Sequence, residues 1–219
     1  MKFRYKIMMF DLDGTLSDSS PGVIKSLLKG FHAVGYKEPT PEELRGFIGP
    51  PLWNHLTEEH GVPPETAVRI IEVFRERYER KGAFENDLYP GMMELLRDFS
   101  REGGHLAVVT SKPETPAKAV LEYLGIREFF EFVSAADDSD HGSGKEELIF
   151  PVLKKSGVAP EDAVMIGDTR YDASGAANAG VNFIGVLYGF GSREEMEREG
   201  GTVFAESVAQ LRELLIDSD

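Results

Sequence analysis

Asp11 and Asp13 stand one residue apart, directly after the apolar run Ile7-Met8-Met9-Phe10. In an extended segment residues at that spacing face the same side, and Gly14 lets the chain turn away behind them. Two carboxylates that close repel each other unless a cation offsets their charge. Mg²⁺ suits the task, since it takes carboxylate oxygens at roughly 2.1 Å in octahedral geometry and keeps several waters. One carboxylate is then available as a nucleophile and the other can exchange a proton. By itself Asp-x-Asp-Gly also suits a turn or a calcium loop, so its meaning depends on its company.

That company stands at three further places: Thr110-Ser111, Lys145, and Gly167-Asp168-Thr-Arg-Tyr-Asp172. Asp168 can complete the cation's protein ligands, while Thr110, Ser111 and Lys145 supply donors and a positive charge for phosphate oxygens. Phosphoryl transfer asks for such a kit, because it depends mainly on positioning and on stabilising charge spread over the equatorial oxygens. These residue types predict that Asp11 attacks phosphorus in line and forms an aspartyl-phosphate. Asp13 would protonate the leaving oxygen and later deprotonate water. Singly, each residue has a structural reading: Asp168 and Asp172 as a helix N-cap and a first-turn charge, Thr110 and Ser111 as a strand-end cap, Lys145 as a solvated helix residue.

For these side chains to meet, the elements that carry them must converge. Short, continuous apolar runs at residues 6–12, 105–111, 129–135, 163–168 and 182–189 read as buried parallel strands. Helical patterns at 92–102, 116–124, 145–156 and 173–179 separate them, and another at 208–215 closes the chain. Strand alternating with helix predicts a Rossmann-like α/β fold with a parallel sheet, whose ligands bind at the carboxyl ends of the strands. The kit falls at those ends. The stretch between the first two strands, residues 17–86, is too long for one crossover and shows helical patterns at 21–34, 41–47, 52–60 and 64–81, with no convincing strand. The expected organisation is a core from residues 1–16 and 89–219 with a small α-helical cap inserted as 17–88.

Composition narrows the partners. Thirty-eight acidic residues against 24 basic ones give a net charge of −14, which repels nucleic acid and anionic membrane surfaces at long range. An anionic small molecule is still admissible where a local site supplies cations. The absence of cysteine excludes disulfides and thiolate chemistry. The first ten residues are too short an apolar run for a signal-peptide core, and cytoplasmic residence is the expectation. His32, His60, His105 and His141 lack metal-ligand spacing and read as structural or exposed. Gly142-Ser143-Gly144 reads as a loop, and residues 193–199 as a charged helix face. In the helical stretch Trp53, His55 and Tyr78 read as packing, while Arg45 and the Gly49-Pro50-Pro51 turn are expected to contribute to substrate binding.

Asp11-Leu-Asp13-Gly14-Thr15-Leu16, Val-Val-Thr110-Ser111-Lys112-Pro113, Lys145 and Gly167-Asp168-x-x-x-Asp172 resemble, in order and spacing, the four motifs of the haloacid dehalogenase superfamily. The helical insert is similar to that superfamily's small cap. The resemblance implies Asp11 as nucleophile, Asp13 as acid and base, and Mg²⁺ held by Asp11, the Asp13 backbone carbonyl and Asp168. It also implies phosphate binding by Thr110, Ser111 and Lys145, with Asp172 supporting the lysine or the metal's waters. Phe47-Ile-Gly49-Pro50-Pro51-Leu52 and Gly185-Val-Leu-Tyr-Gly189-Phe190-Gly191 resemble the branch of phosphoglycolate phosphatases, whose members act on differing small phosphate esters. One departure is that glutamate, rather than the usual proline, follows Lys145; Lys154 and Lys155 are its rivals. A phosphomutase of the same architecture and a non-catalytic module that senses a phosphorylated ligand are the alternative functions. The partner expected is a small-molecule phosphate ester, with the chain a monomer or homodimer.

Overall fold

The computed structural model describes residues 2–137 and 144–217, so His141 and the Gly142-Ser143 part of the expected loop lie outside the described residues. Its strands are β1 (Ile7–Phe10), β2 (Ser17–Asp18), β3 (Asp87–Leu88), β4 (Leu106–Pro113), β5 (Phe132–Ala136), β6 (Ala163–Gly167), β7 (Asn182–Val186) and β8 (Phe204–Ala205). Six of them form one parallel sheet in the order β5-β4-β1-β6-β7-β8. The chain leaves β1 toward β4 and β5 on one side and returns to β6 on the other. β1 is therefore where the strand order reverses, and the crevice at such a reversal is the usual ligand site of an open α/β sheet.

Every residue of β1 is apolar and buried because the sheet is covered on both faces. Met8 and Phe10 join one cluster with Leu106, Val108, Val164 and Ile166, which α5 (Met92–Arg101), α6 (Glu114–Tyr123) and α10 (Val208–Leu215) complete. Ile7 and Met9 face the opposite way, joining Ala107, Val109 and Met165 under α7 (Lys145–Ser156) and α8 (Arg170–Ala179). The alternation follows from the strand's period of two. A short α9 (Arg193–Arg198) buries Met196 beneath its charged face.

Between β2 and β3 the chain is helical: α1 (Ser20–Ala33), α2 (Pro41–Gly46), α3 (Leu52–Asn54) with a π turn over His55–Glu59, and α4 (Pro64–Arg80). α2 starts where it does because Thr40 and Glu43 form a reciprocal capping box ahead of Pro41. α1 and α4 are tied by Arg77, which donates to Ser26 Oγ at 2.9 Å and reaches Glu85 at 2.8 Å.

The structure departs from the sequence reading in four details. β2 and β3 form a two-residue antiparallel ladder, Ser17 opposite Leu88 and Asp18 opposite Asp87, at the edges of a stretch expected to hold no strand. The expected helix over 52–60 is divided by the π turn. Residues 127–129 form a 3₁₀ turn, which delays β5 to Phe132. β8 pairs with β7 through only two residues, too few to leave a periodic signature. No helix among the described residues is long and apolar enough to cross a membrane.

Candidate active site

The backbone N–H of Asp11 donates to the Ile166 carbonyl at 2.9 Å, one last sheet bond that fixes Asp11 just beyond β1. The chain then turns at Gly14, whose φ of +87° favours glycine and where a Cβ would run into the Asp168 carboxylate. Thr15 closes the turn by donating its hydroxyl to Asp168 Oδ1 at 3.1 Å, and the Phe190 N–H donates to Asp168 Oδ2 at 2.8 Å. Asp168 at the end of β6 is thereby aimed at Asp11.

Lys145, the first residue of α7, is buried and reaches both Asp11 Oδ1 and Asp172 Oδ1 at 2.7 Å. It gets there because Gly175 has no side chain; a Cβ at that position would collide with the lysine's own Cβ. Lys154 and Lys155 are exposed further along the helix. The other oxygen of Asp172 accepts from the N–H and the hydroxyl of Thr169 at 3.1 and 2.8 Å, so this aspartate both caps α8 and faces the lysine.

Asp11, Asp168 and Asp172 each offer an oxygen within 4.8 Å of one another, and all three are buried. Lys145 faces two of the three, Asp11 and Asp172, and Asp168 is met by the Thr15 hydroxyl and the Phe190 N–H instead. Burial drives the Asp11 carboxyl upward from its ordinary range despite the attraction of Lys145, and burial with Asp172 and Asp11 nearby drives Asp168 well up. Burial opposes the charge on Lys145, yet the facing carboxylates Asp11 and Asp172 raise its pKa. An all-oxygen, buried donor set with surplus negative charge fits a hard divalent cation. Asp13 stands differently: its side chain turns toward Lys112, whose Nζ donates to Oδ2 at 2.7 Å, and it is not one of the three clustered carboxylates.

Asp11 and Asp13 reach a cavity of about 630 Å³ between the strand ends and the helical stretch. Asp11, Asp13, Thr110, Ser111 and Lys112 line it from the sheet side; Phe47, Ile48, Trp53, Ile71, Phe74 and Tyr78 make an apolar wall opposite, with Glu72, Arg75 and Glu79 among them. Trp53 and Tyr78, read from the sequence as packing, are thus wall residues. Gly49, Pro50 and Pro51 also line the cavity. Arg45 does not; it is exposed, and its charge acts on the hydroxyl of Tyr89, which burial and Asp18 push upward. Sequence reasoning overlooked Lys112 and Thr15, although both lie inside motifs it quoted. His60 stacks on Phe47, and His32 and His105 pair with surface glutamates.

Comparison with known proteins bears on this arrangement. Residues 8–186 match the family model described as haloacid dehalogenase-like hydrolase. A 5'-nucleotidase of Pseudomonas aeruginosa is 35% identical over 97% of this chain and 96% of its own length. The tyrosine-protein kinase PtkA of Mycobacterium tuberculosis is 32% identical over 96% of this chain and 72% of its own. A phosphoglycolate phosphatase of Vibrio vulnificus is 29% identical over 97% of each. The crystal structure of a predicted phosphatase from Clostridium acetobutylicum superposes with a TM-score of 0.90 at 35% identity, covering 96% of this chain and 97% of that one.

Proposed function

Because this chain belongs to the haloacid dehalogenase-like hydrolases and is a phosphoric monoester hydrolase, we propose that it is a Mg²⁺-dependent phosphatase of small-molecule esters working through an aspartyl-phosphate on Asp11. The observation that carries this reading is the convergence of Asp11, Asp168, Asp172 and Lys145 in one buried cluster, which meets the cavity at Asp11.

Lys145 holds Asp11 Oδ1, leaving the other carboxylate oxygen to attack phosphorus. The P–O bond to the leaving group breaks as the Asp11 O–P bond forms, and Asp13 delivers its proton to the departing oxygen. In the second half Asp13 takes a proton from water, whose oxygen displaces Asp11 and yields inorganic phosphate. Thr110 and Ser111 orient the phosphoryl oxygens with Lys145. Asp11, Asp168 and the Asp13 carbonyl would hold Mg²⁺, with Asp172 behind them. When bound, the cation supplies positive charge for the phosphoryl oxygens and relieves the repulsion among the carboxylates.

In this reading residues 17–88 act as a cap hinged at the β2–β3 ladder, closing over the cavity to exclude water. The cavity lies within the roughly 300–1,000 Å³ typical of small-molecule sites. A two-carbon leaving group such as glycolate would leave most of it to water, so the volume and the wall of Trp53, Phe47 and Phe74 favour a bulkier ester, a nucleoside monophosphate foremost. A phosphate-release panel of nucleotides, sugar phosphates and phosphoglycolate, with and without Mg²⁺ and scored by kcat/KM, tests the substrate. Asp11→Asn is expected to reduce turnover at least about 10³-fold, by analogy with the loss of other covalent nucleophiles. Substantial turnover by that variant, free of wild-type enzyme, would contradict the nucleophile assignment.

A further inference from the structure

Lys112 is a buried cation that the mechanism above does not use. β4 runs in register with β5 through Thr110, opposite Ala135, but the next pair is Pro113 with Ala136, so Ser111 and Lys112 are extra residues on β4. Bulges of this kind re-aim side chains near active sites. Here the irregularity swings Lys112 over the strand end, where Nζ donates to Asp13 Oδ2 at 2.7 Å and lies 4.7 Å from the centre of the Tyr78 ring. Only 8% of the lysine side chain and 10% of the Asp13 side chain are exposed. Asp13 Oδ1 is buried with no hydrogen-bond partner, and so is the Tyr78 hydroxyl, although both residues line the cavity. A buried carboxylate oxygen left unpaired costs free energy unless a ligand or water meets it.

We propose that Lys112 is a positioning residue for Asp13: by clamping Oδ2 it presents Oδ1 to the leaving-group oxygen, and Tyr78 on α4 completes the clamp only while the helical stretch covers the site. The cation is held between a carboxylate from the β1 turn and an aromatic face from the helices, so displacing α4 removes its ring contact and admits water to the ion pair. Proton delivery is thereby tied to closure.

This rests on the phosphatase reading, and the test separates the two. The ratio kcat/KM reports the steps through release of the leaving group, ahead of hydrolysis of the aspartyl-phosphate. p-Nitrophenolate leaves without a proton, whereas an alkyl alcohol requires one, so an acid held out of place should be felt only by the alkyl ester. For Lys112→Met we expect kcat/KM to fall about 10- to 100-fold with a nucleoside 5'-monophosphate and less than about 3-fold with p-nitrophenyl phosphate. Lys112→Arg should recover part of the loss. Tyr78→Leu should reproduce the same selective loss in milder form. The melting temperature of each variant, measured alongside, shows whether it is folded. Equal losses on both esters would mean that Lys112 binds phosphate or serves only the fold, and would overturn the proposal. If wild-type protein released phosphate from neither ester, the phosphatase reading would fall and the clamp's catalytic role with it.

Discussion

Among single residues, Lys145 carries the heaviest electrostatic demand, since its ammonium is the only cation the structure places directly against Asp11 and Asp172 among the described residues. Buried charge pairs add little net stability, but deleting one partner leaves the other uncompensated, at a cost of about 3–5 kcal/mol. Lys145→Met should therefore destabilise the metal-free protein by about that amount in urea unfolding, and far less with saturating Mg²⁺, which would supply replacement charge. A loss of the same size with and without the cation would show that the lysine and the cation do not share those carboxylates. Much of this cluster was legible from the sequence because Asp11 and Asp168 directly follow apolar strands, Asp172 falls in the first turn of the helix after Asp168, and Lys145 opens a helical pattern. Lys112 was not, because its direction comes from a two-residue irregularity in β4 that no periodicity announces. Arg45 shows the converse: a cation in the right stretch of sequence sits exposed, away from the cavity wall.

At the level of elements, the core strands and helices were readable because the sheet is covered on both faces and each run is continuously apolar. α7 and α10 span the residues that their patterns predict. What escaped was the ladder of β2 and β3, two residues each, whose pairing depends on where the helical stretch leaves and re-enters the core. Near that return Glu85 pairs with Arg77 at 2.8 Å and Lys25 at 3.2 Å, tying the end of the stretch to α4 and α1. The Arg77 hydrogen bond holds the Glu85 carboxyl below its ordinary value against the opposing effect of burial, with the Lys25 hydrogen bond adding to it. A lowered folded-state pKa means that the unfolded chain binds the proton more readily. The stabilisation is complete above the unfolded value, near pH 4.5, and disappears as pH falls through the lower folded value. Glu85→Gln should accordingly lower Tm by about 2–4 °C at pH 7, with the difference between variant and wild type vanishing in acid. A difference that persists unchanged well below pH 4.5 would assign the effect to packing rather than to charge.

For the whole molecule, the stability of the fold and the readiness of the site pull in opposite directions. The protein carries a net charge of −14 and concentrates three buried carboxylates at the point where its sheet order reverses. Without a cation that cluster is a local burden on the folded state, and a ligand that binds only the folded protein relieves it by mass action. At a concentration 100 times its dissociation constant Mg²⁺ would add about 2.7 kcal/mol, or about 5–11 °C in Tm for a chain of this size; EDTA would reverse the gain. Asp168→Asn makes the opposition visible. The amide can keep both contacts, its oxygen accepting from the Phe190 N–H and its nitrogen donating to the Thr15 hydroxyl once that rotates. One buried negative charge is removed from beside Asp11 and Asp172 at no loss of shape. The metal-free variant should thus melt at or above the temperature of metal-free wild type, while its rise with Mg²⁺ should be largely lost, so that the order of stability inverts when the cation is added. Calorimetry on both proteins in EDTA and in Mg²⁺ checks the inversion; a variant that is less stable without metal yet keeps the full Mg²⁺ response would place the cation elsewhere than between Asp11 and Asp168.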